Sequence, residues 1–483
     1  MTITHDLSAA MTMEAYHEAL RELAHEKRFL EKWSSDPTFR QALTDDMEGT
    51  LEARGLRLDT EELNAIVAGG TSAVFDRLQT LAYLKMMWTN RFYHEHCQPA
   101  DAAWQQWRVR QINRQVLDLG PHHAMQNIHS SLAVELNKGC SVGCWFCALS
   151  PDKKSVPLDY HSGGRETFHA LITALQNELG AAVDSGFLYW GTEPMDNPDY
   201  EQYCVDFHTI TGTFPPTTTA VAHKHPERIK NLLDLAAKHG SWLTRFSVLT
   251  TSLMDRIHAT YTPEELALAE CLPLNREADY AYGVAGRYRD YLQAHPEAAV
   301  EQRAKLRRAP WYESVKDYLN DDTHAHGSIA CVTGFLVNTV DRTISLIAPV
   351  TADDAHPLGY ITFAQVEFTS ADDIPATVAD VVARGRRLVL ADDDICAIPS
   401  WVNTQIDDDA LVVTGRIGGK ARRAHHGNVE AMDALVNTLR QGTCNRADVI
   451  RTVATSSSVD AAWVSDAIDG LWKLGVLIEP VRV

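Results

Sequence analysis

The sequence predicts a mixed α/β chain in three parts: an α-helical region over 1–125, repeating β/α units over 126–400 with a polar helical insertion at 255–325, and a winged-helix-like unit over 405–483. Three observations predict it. Apolar residues before 125 recur at helical spacing. From about 130 to 240, short β-branched or apolar runs alternate with helical patterns, which argues for a parallel sheet, open or closed. The tail reads strand, three helices, strand.

The elements follow in order. Tyr16, Leu20, Leu23, Phe29 and Leu30 give Met13 to Trp33 one apolar face. Asp36-Pro37 is a helix start, with Asp as N-cap and Pro in the first turn; Phe39, Leu43 and Met47 then share a face. Gly55 ends a helix, Thr60-Glu61-Glu62 begins the next, and another runs from about Ala73 to His94. Ser131–Leu136 reads as a strand, followed by a cysteine-rich loop and a helix from about Thr167 to Ala182. Gly186–Trp190 is a second short apolar run. Thr217–Ala222 is β-branched, Pro226–His239 is helical with Gly240 as its stop, and Trp242–Leu249 is again a strand. Residues 255–325 read as a solvated helical insertion. Ile329–Thr339 and Thr343–Ala348 form strands about an Asp341-Arg342 turn, Leu358–Phe368 is a third, and Pro375–Gly385 is a helix. In the tail, Leu411–Ile417 is a strand. Asn428–Leu439, Asn445–Val453 and Val459–Leu474 are helices, the last stopped by Gly475, and Val476–Ile478 closes the unit.

Composition narrows the class. A length of 483 residues is room for about three domains. With 22% charged and 45% hydrophobic residues the chain reads as globular, and its formal charge of −20 argues against duplex nucleic acid as a partner. No apolar run is long enough to span a bilayer, and His5, Asp6 and Glu14 stand where a signal peptide needs an apolar stretch. The expectation is a cytoplasmic protein with neither membrane nor nucleic-acid partner. Its nine cysteines then read as reduced thiols, and a cluster of them as metal-binding or catalytic.

Such a cluster exists. Cys140, Cys144 and Cys147 stand at C-x3-C-x2-C directly after a strand, with Gly139 and Gly143 letting the loop wrap closely. Three thiolates can hold three irons of a four-iron cluster and leave the fourth open to a small chelator. A structural zinc would want a fourth ligand. Cys204 is far along the chain, whereas His161 and His169 are near enough to supply one, so zinc remains an alternative.

With its aromatic Phe146 before the last cysteine, this segment resembles the radical S-adenosylmethionine superfamily, over roughly residues 130–350. The resemblance implies a partial, TIM-like β/α barrel, one [4Fe-4S] cluster on Cys140, Cys144 and Cys147, and S-adenosyl-L-methionine bound to the open iron. Reductive cleavage of that cofactor would give a 5′-deoxyadenosyl radical, with electrons from an external donor such as flavodoxin or ferredoxin. Gly191-Thr192-Glu193-Pro194 looks like the superfamily's Gly-Gly-Glu-Pro motif, with Thr192 in place of the second glycine. Arg245 and Ser247 alternate on a later strand and share a face. They are candidates for the cofactor's carboxylate and ribose, or else an ordinary polar pair. With Phe146 these residues make up the expected cofactor-binding set.

The fuller match is narrower. Cys140–Cys147, Tyr189–Pro194 with Asp196-Asn197-Pro198, and Thr333–Asn338 resemble the proteusin-type peptide epimerases that mature ribosomally made peptides. The resemblance implies L-to-D epimerisation of a precursor peptide carrying a leader: a Cα hydrogen is abstracted and one is returned from a cysteine thiol. Cys331 is the candidate donor, as against a structural cysteine, and Cys396 the second choice. Val350 stands after Ala348-Pro349, where the family would have a cysteine. That departure leaves crosslinking, cleavage or oxidation of the peptide as the alternative enzymatic reading, beside a non-enzymatic binding protein with a relic loop. Residues 410–480 resemble winged-helix elements that bind leaders, with the edge of Leu411–Ile417 free to pair with an extended peptide. Lys420, Arg422 and Arg423 form a small basic cluster that a DNA-binding winged helix would use, against the acidic run Asp407-Asp408-Asp409. The stretch from Asp36-Pro37 to Gly69-Gly70 looks like a leader of the nitrile-hydratase or nitrogen-fixation-related type; the plainer reading is a helical hairpin packed on the barrel.

Overall fold

The structure is a computed structural model that describes residues 11–480 apart from 69, 71, 121–123, 125–126, 242, 279, 309–326, 408–409, 417–421 and 426. The readings placed on Gly69, Trp242, Asp408, Asp409, Lys420 and the end of the insertion from 309 onward lie outside the described residues.

The N-terminal region is helical: α1 (Met13–Glu22), α2 (Ala24–Ser35), α3 (Pro37–Asp45), α4 (Met47–Ala53), α5 (Thr60–Val67), α6 (Ala73–Arg91) and α7 (Ala102–Leu119). Asp36, Asp46, Asp59 and Asp101 each accept backbone N–H groups at a helix start, which satisfies donors the helix itself cannot. The single helix expected from Met13 to Trp33 is broken at Leu23, whose dihedrals leave the helical region. Tyr16 and Phe29 on either side enter one core with Phe39, Leu43 and Leu63. From Asp36 onward the chain forms three short helices, α3 to α5, whose apolar residues enter that same core.

The middle region opens with β1 (Ser130–Glu135), a short hairpin of β2 (Asn137–Lys138) and β3 (Val156–Pro157), then α8 (Arg165–Leu179) and α9 (Tyr200–Thr211). There follow β4 (Thr217–Thr219), α10 (Pro226–Lys238), β5 (Thr244–Val248), α11 (Thr251–Thr260), β6 (Ala269–Pro273), α12 (Gly286–Ala294) and α13 (Ala298–Arg308). β4, β5 and β6 form a parallel sheet. β6 corrects the expectation for 255–325: this stretch is not helical throughout, because Ala269–Pro273 pairs along β5. A second sheet has the order β1, β7 (Val332–Asn338), β8 (Thr343–Pro349), β9 (Tyr360–Glu367), with β1 and β7 parallel and the rest antiparallel. The expected strand Gly186–Trp190 is reduced to bridges from Phe187 and Tyr189 to Ala133 and Glu135 of β1. α14 (Ile374–Gly385) covers this sheet, and one core joins both sheets to α8, α9, α10 and α14.

The tail holds β10 (Asn403–Ile406), β11 (Ala410–Thr414), β12 (Arg422–His425), α15 (Val429–Gln441), α16 (Arg446–Ser457) and α17 (Ala461–Lys473). Here the structure overturns one expectation. β11 is the central strand of an antiparallel sheet, flanked by β10 and β12, so neither of its edges is free for a peptide. The closing strand at Val476–Ile478 is likewise absent among the described residues.

α7 joins the regions. Arg108 Nη1 donates to Ser131 Oγ (2.7 Å) and the Thr333 carbonyl (2.6 Å), and Nη2 to the His129 carbonyl (2.8 Å). Arg114 Nη2 reaches the Pro349 carbonyl. On the side of the tail, Arg110 pairs with buried Glu479 at 3.1 Å, and Arg416 N–H donates to the Leu117 carbonyl. The molecule is thus a mixed α/β protein. Among the described residues no helix is long and apolar enough to cross a membrane.

Candidate functional site

The cysteine loop is a closed excursion at the end of β1. The β2–β3 hairpin ties its base. Gly139 is left-handed (φ +83°), and a Cβ there would run into the Lys154 carbonyl oxygen; this position requires glycine. Cys140 N–H donates to the Asp152 carbonyl (2.8 Å). From outside, the start of α12 holds the far end: Arg287 N–H donates to the Cys147 carbonyl (3.1 Å), and its guanidinium to the Pro151 carbonyl.

The second motif is fastened to the first. Asp196 accepts Ser141 N–H at 2.9 Å on one carboxylate oxygen and Ser141 Oγ–H at 2.6 Å on the other. Asn137 Nδ2 donates to the Glu193 carbonyl, and Asn197 Nδ2 to the Leu136 carbonyl. The Glu193 carboxylate turns inward to Thr219 Oγ1 (2.6 Å) and Ala220 N–H (2.8 Å), so it anchors the turn to β4. Burial raises its pKa, and those donors pull it back. Thr192 Oγ1 is buried without a partner.

The three thiols are partly buried. Burial raises Cys140, offset by the Val142 and Gly143 N–H groups at its sulfur. Cys144 is pushed up to about 12 by burial and by the neighbouring Cys147 and Cys140. A cation among them would relieve that repulsion and stabilise the thiolates. They do not converge on one point: among the described residues they form no set with all ligand atoms within 4.8 Å. His161 faces Asp199 and His169 faces Asp206 instead of completing such a set. Neither observation favours a single zinc.

A cavity of about 200 Å³ adjoins the loop, lined by Gly139, Leu149, Trp190, Gly191, Leu336 and Tyr360 among others. Glu135 lines it too. Its Oε2 accepts from Asn338 Nδ2 (2.7 Å), and burial pushes its pKa up to about 8, with Asn338 opposing and Asp341 assisting. Burial thus favours the protonated form of this carboxyl.

No family model and no solved structure matches the chain. It is 31% identical over 374 residues to the uncharacterized protein y4wI of Sinorhizobium fredii, an alignment covering 74% of this chain and 69% of that protein. The chain belongs to the y4wI family. That relative carries no described activity, so the chemistry of this y4wI-family chain is argued from its own residues.

Cys331 precedes β7 and packs against the apolar cluster of Phe187, Trp190, Val332 and Ile347, of which Trp190 also lines the cavity. Burial pushes its thiol up to about 11, with Arg245 opposing. Arg245 and Ser247 share one face of β5; Arg245 Nη2 reaches Tyr189 Oη at 3.3 Å, and its Nε is buried without a partner. Phe146 stacks on Tyr282 with centroids 4.4 Å apart, beside Trp145. Cys396 is not brought to the site. It lies in the separate core of the tail, its N–H on the Cys444 carbonyl. Val350 is buried in the main core. Sequence reasoning missed Glu135, Tyr189 and Trp190 as site residues. The available signal was Glu135, an acid ending an otherwise buried strand.

Proposed function

We propose that this chain is a radical S-adenosylmethionine enzyme acting on a ribosomally made precursor peptide, by L-to-D epimerisation. The observation that carries the reading is the loop of Cys140, Cys144 and Cys147 after β1, fastened through Ser141 and Asp196 to the turn at Gly191–Pro194. On this reading the β4–β6 sheet and the parallel β1–β7 pair belong to a partial β/α barrel, and the tail is a winged-helix-like leader-recognition unit. A leader would add as a strand at an outer edge, of β10 or β12, since β11 is enclosed.

The three thiols fit one four-iron cluster, and unpartnered Thr192 Oγ1 and Arg245 Nε fit a polar cofactor beside it. When bound, the cluster and S-adenosylmethionine supply the radical chemistry that removes a peptide Cα hydrogen. The chain's own residues do the rest. Trp190, Leu336 and Tyr360 give the cavity its apolar wall, and protonated Glu135 donates a hydrogen bond to a peptide carbonyl. Cys331 is a protonated thiol at neutral pH, which burial reinforces, and its hydrogen atom is given to the opposite face. The sulfur radical left behind is restored by one electron from the external donor, such as flavodoxin or ferredoxin, and one proton. Val350 favours a second reading, in which the peptide is crosslinked, cleaved or oxidised and Cys331 is structural.

Iron loading under anaerobic conditions tests the assignment. The wild type should hold about four irons per chain and form 5′-deoxyadenosine from S-adenosylmethionine with a reductant. Replacing Cys140, Cys144 and Cys147 together by Ala should abolish both; a triple variant that still cleaves the cofactor would sink the proposal.

A further inference from the structure

Away from the cysteine loop, three side chains meet in the seam between the N-terminal helices and the parallel sheet. Glu31 comes from α2, His258 from the last turn of α11 and Cys271 from the middle of β6. A carboxylate oxygen, an imidazole nitrogen and the Cys271 sulfur all lie within 4.8 Å of one another, the only such set among the described residues. Cys271 is 4% exposed, and the side chains of Glu31 and His258 are 12% and 13% exposed.

Their inward atoms face one another. Glu31 Oε1 accepts from Lys27 Nζ (2.6 Å) and from Cys271 N–H (3.2 Å). Oε2 faces His258 Nε2 at 3.6 Å, an ion-pair separation too long for a hydrogen bond, and that buried nitrogen has no hydrogen-bond partner. Buried imidazole nitrogens are ordinarily satisfied. A cavity of about 290 Å³, lined by Lys27, Glu31, Ala267 and Glu270 among others, opens beside the group. Its lining is mostly apolar and touches Glu31 of the three, not His258 or Cys271.

We propose that Glu31 Oε2, His258 Nε2 and Cys271 Sγ bind one zinc-class divalent ion, with a water in the fourth position. Thiolate and imidazole select a borderline-soft metal over magnesium or calcium, and three protein ligands with an open place are a normal zinc arrangement. Carboxylate and thiolate balance the double charge, and Cys271 releases its proton to solvent on binding. Lys27 stays on the outer oxygen, held also by the Leu266 carbonyl (3.2 Å) and the Ala269 carbonyl (2.5 Å). The ion staples α2 to α11 and β6, reinforcing Lys32–Asp255 and Lys85–Glu270 across the same seam. This site does not depend on the reading of the cysteine loop.

The test uses the full chain with Cys140, Cys144 and Cys147 replaced by Ala, which removes the competing thiols. Purified from zinc-supplemented culture, it should carry about one zinc per chain by plasma mass spectrometry, falling below about a tenth when His258→Gln or Cys271→Ser is added. Cobalt exchanged into the site should show a thiolate charge-transfer band that Cys271→Ser removes. A chelator should lower the melting temperature of the triple variant and leave that of the quadruple variants unmoved. No zinc and no such band in the folded triple variant, or undiminished zinc after either fourth substitution, overturns the proposal. If the triple variant does not fold, His258→Gln and Cys271→Ser in the wild-type chain serve instead. Each should lower the zinc content by about one per chain, and an unchanged content overturns the proposal.

Discussion

Asp196→Ala cuts the cysteine loop away from the turn at Gly191–Pro194. The carboxylate accepts two bonds from Ser141, at 2.9 Å from N–H and 2.6 Å from Oγ–H. A sheltered hydrogen bond to a charged group contributes about 1.5–3 kcal/mol; Ser141 is exposed, which brings each nearer to about 1 kcal/mol. Losing both costs ~2 kcal/mol, or ~30-fold in the balance between docked and released loop. Ser141→Ala loses only the hydroxyl bond and should cost ~fivefold. Hydrogen exchange at the Ser141 amide measures the docking directly and should accelerate by about the 30-fold factor in Asp196→Ala. After anaerobic iron loading, transfer of iron to a chelator should quicken in the same order of variants. Global unfolding in urea should barely move, because the two bonds are peripheral to the core. The double variant should match Asp196→Ala, since both interactions run through that one carboxylate. Unchanged exchange at Ser141, or a full additional cost in the double variant, refutes the argument.

Glu135 has its pKa raised from the ordinary 4.5 to about 8, so the folded state binds a proton that the unfolded state has lost. Stability should therefore fall as pH rises from about 4.5 through about 8, by at most about 5 kcal/mol. Urea titrations at pH 5, 7 and 9 should show that fall in the wild type and a much weaker one in Glu135→Gln; identical profiles refute it. Glu479→Ala leaves Arg110 buried without its carboxylate, which should cost about 3–5 kcal/mol in urea unfolding, and a cost below about 1 kcal/mol would count against the pairing. In heavy water, an epimerised residue should gain one deuterium at Cα. Cys331→Ala should still cleave the cofactor while installing no D-residue, and normal epimerisation by it would remove Cys331 from the donor role.

The cysteine loop was legible because its spacing is itself the chemistry: Cys140, Cys144 and Cys147 must sit close in sequence to serve one loop. Helix starts at Asp36 and Asn445 were legible because a cap is a local hydrogen bond, made here to Thr38 N–H and Asp448 N–H. α7 escaped individual notice because Arg108, Arg110, Gln111 and Arg114 occupy buried positions, where a periodic apolar face is the usual sign. β6 escaped because it is short, contains Glu270 and follows Glu264 and Glu265. The enclosure of β11 escaped for a related reason: its neighbours, Asn403–Ile406 and Arg422–His425, are mostly polar and carry little strand pattern. The convergence of Glu31, His258 and Cys271 has no spacing to betray it, since only tertiary packing brings α2 against β6.

The clasp of α7 has a consequence for how a bound peptide would be measured. One side of the helix is fixed to β1 and β7 through Arg108, the other to the tail through Arg110 and Leu117. An anchor on the tail then cannot travel relative to the cavity, and the span between them behaves as a ruler. The residue that reaches Glu135 and Cys331 would be chosen by its count from the anchor rather than by its identity. Adding one residue to the spacer of a precursor would move the modified position by one along the chain, and leave the extent of modification nearly as it was.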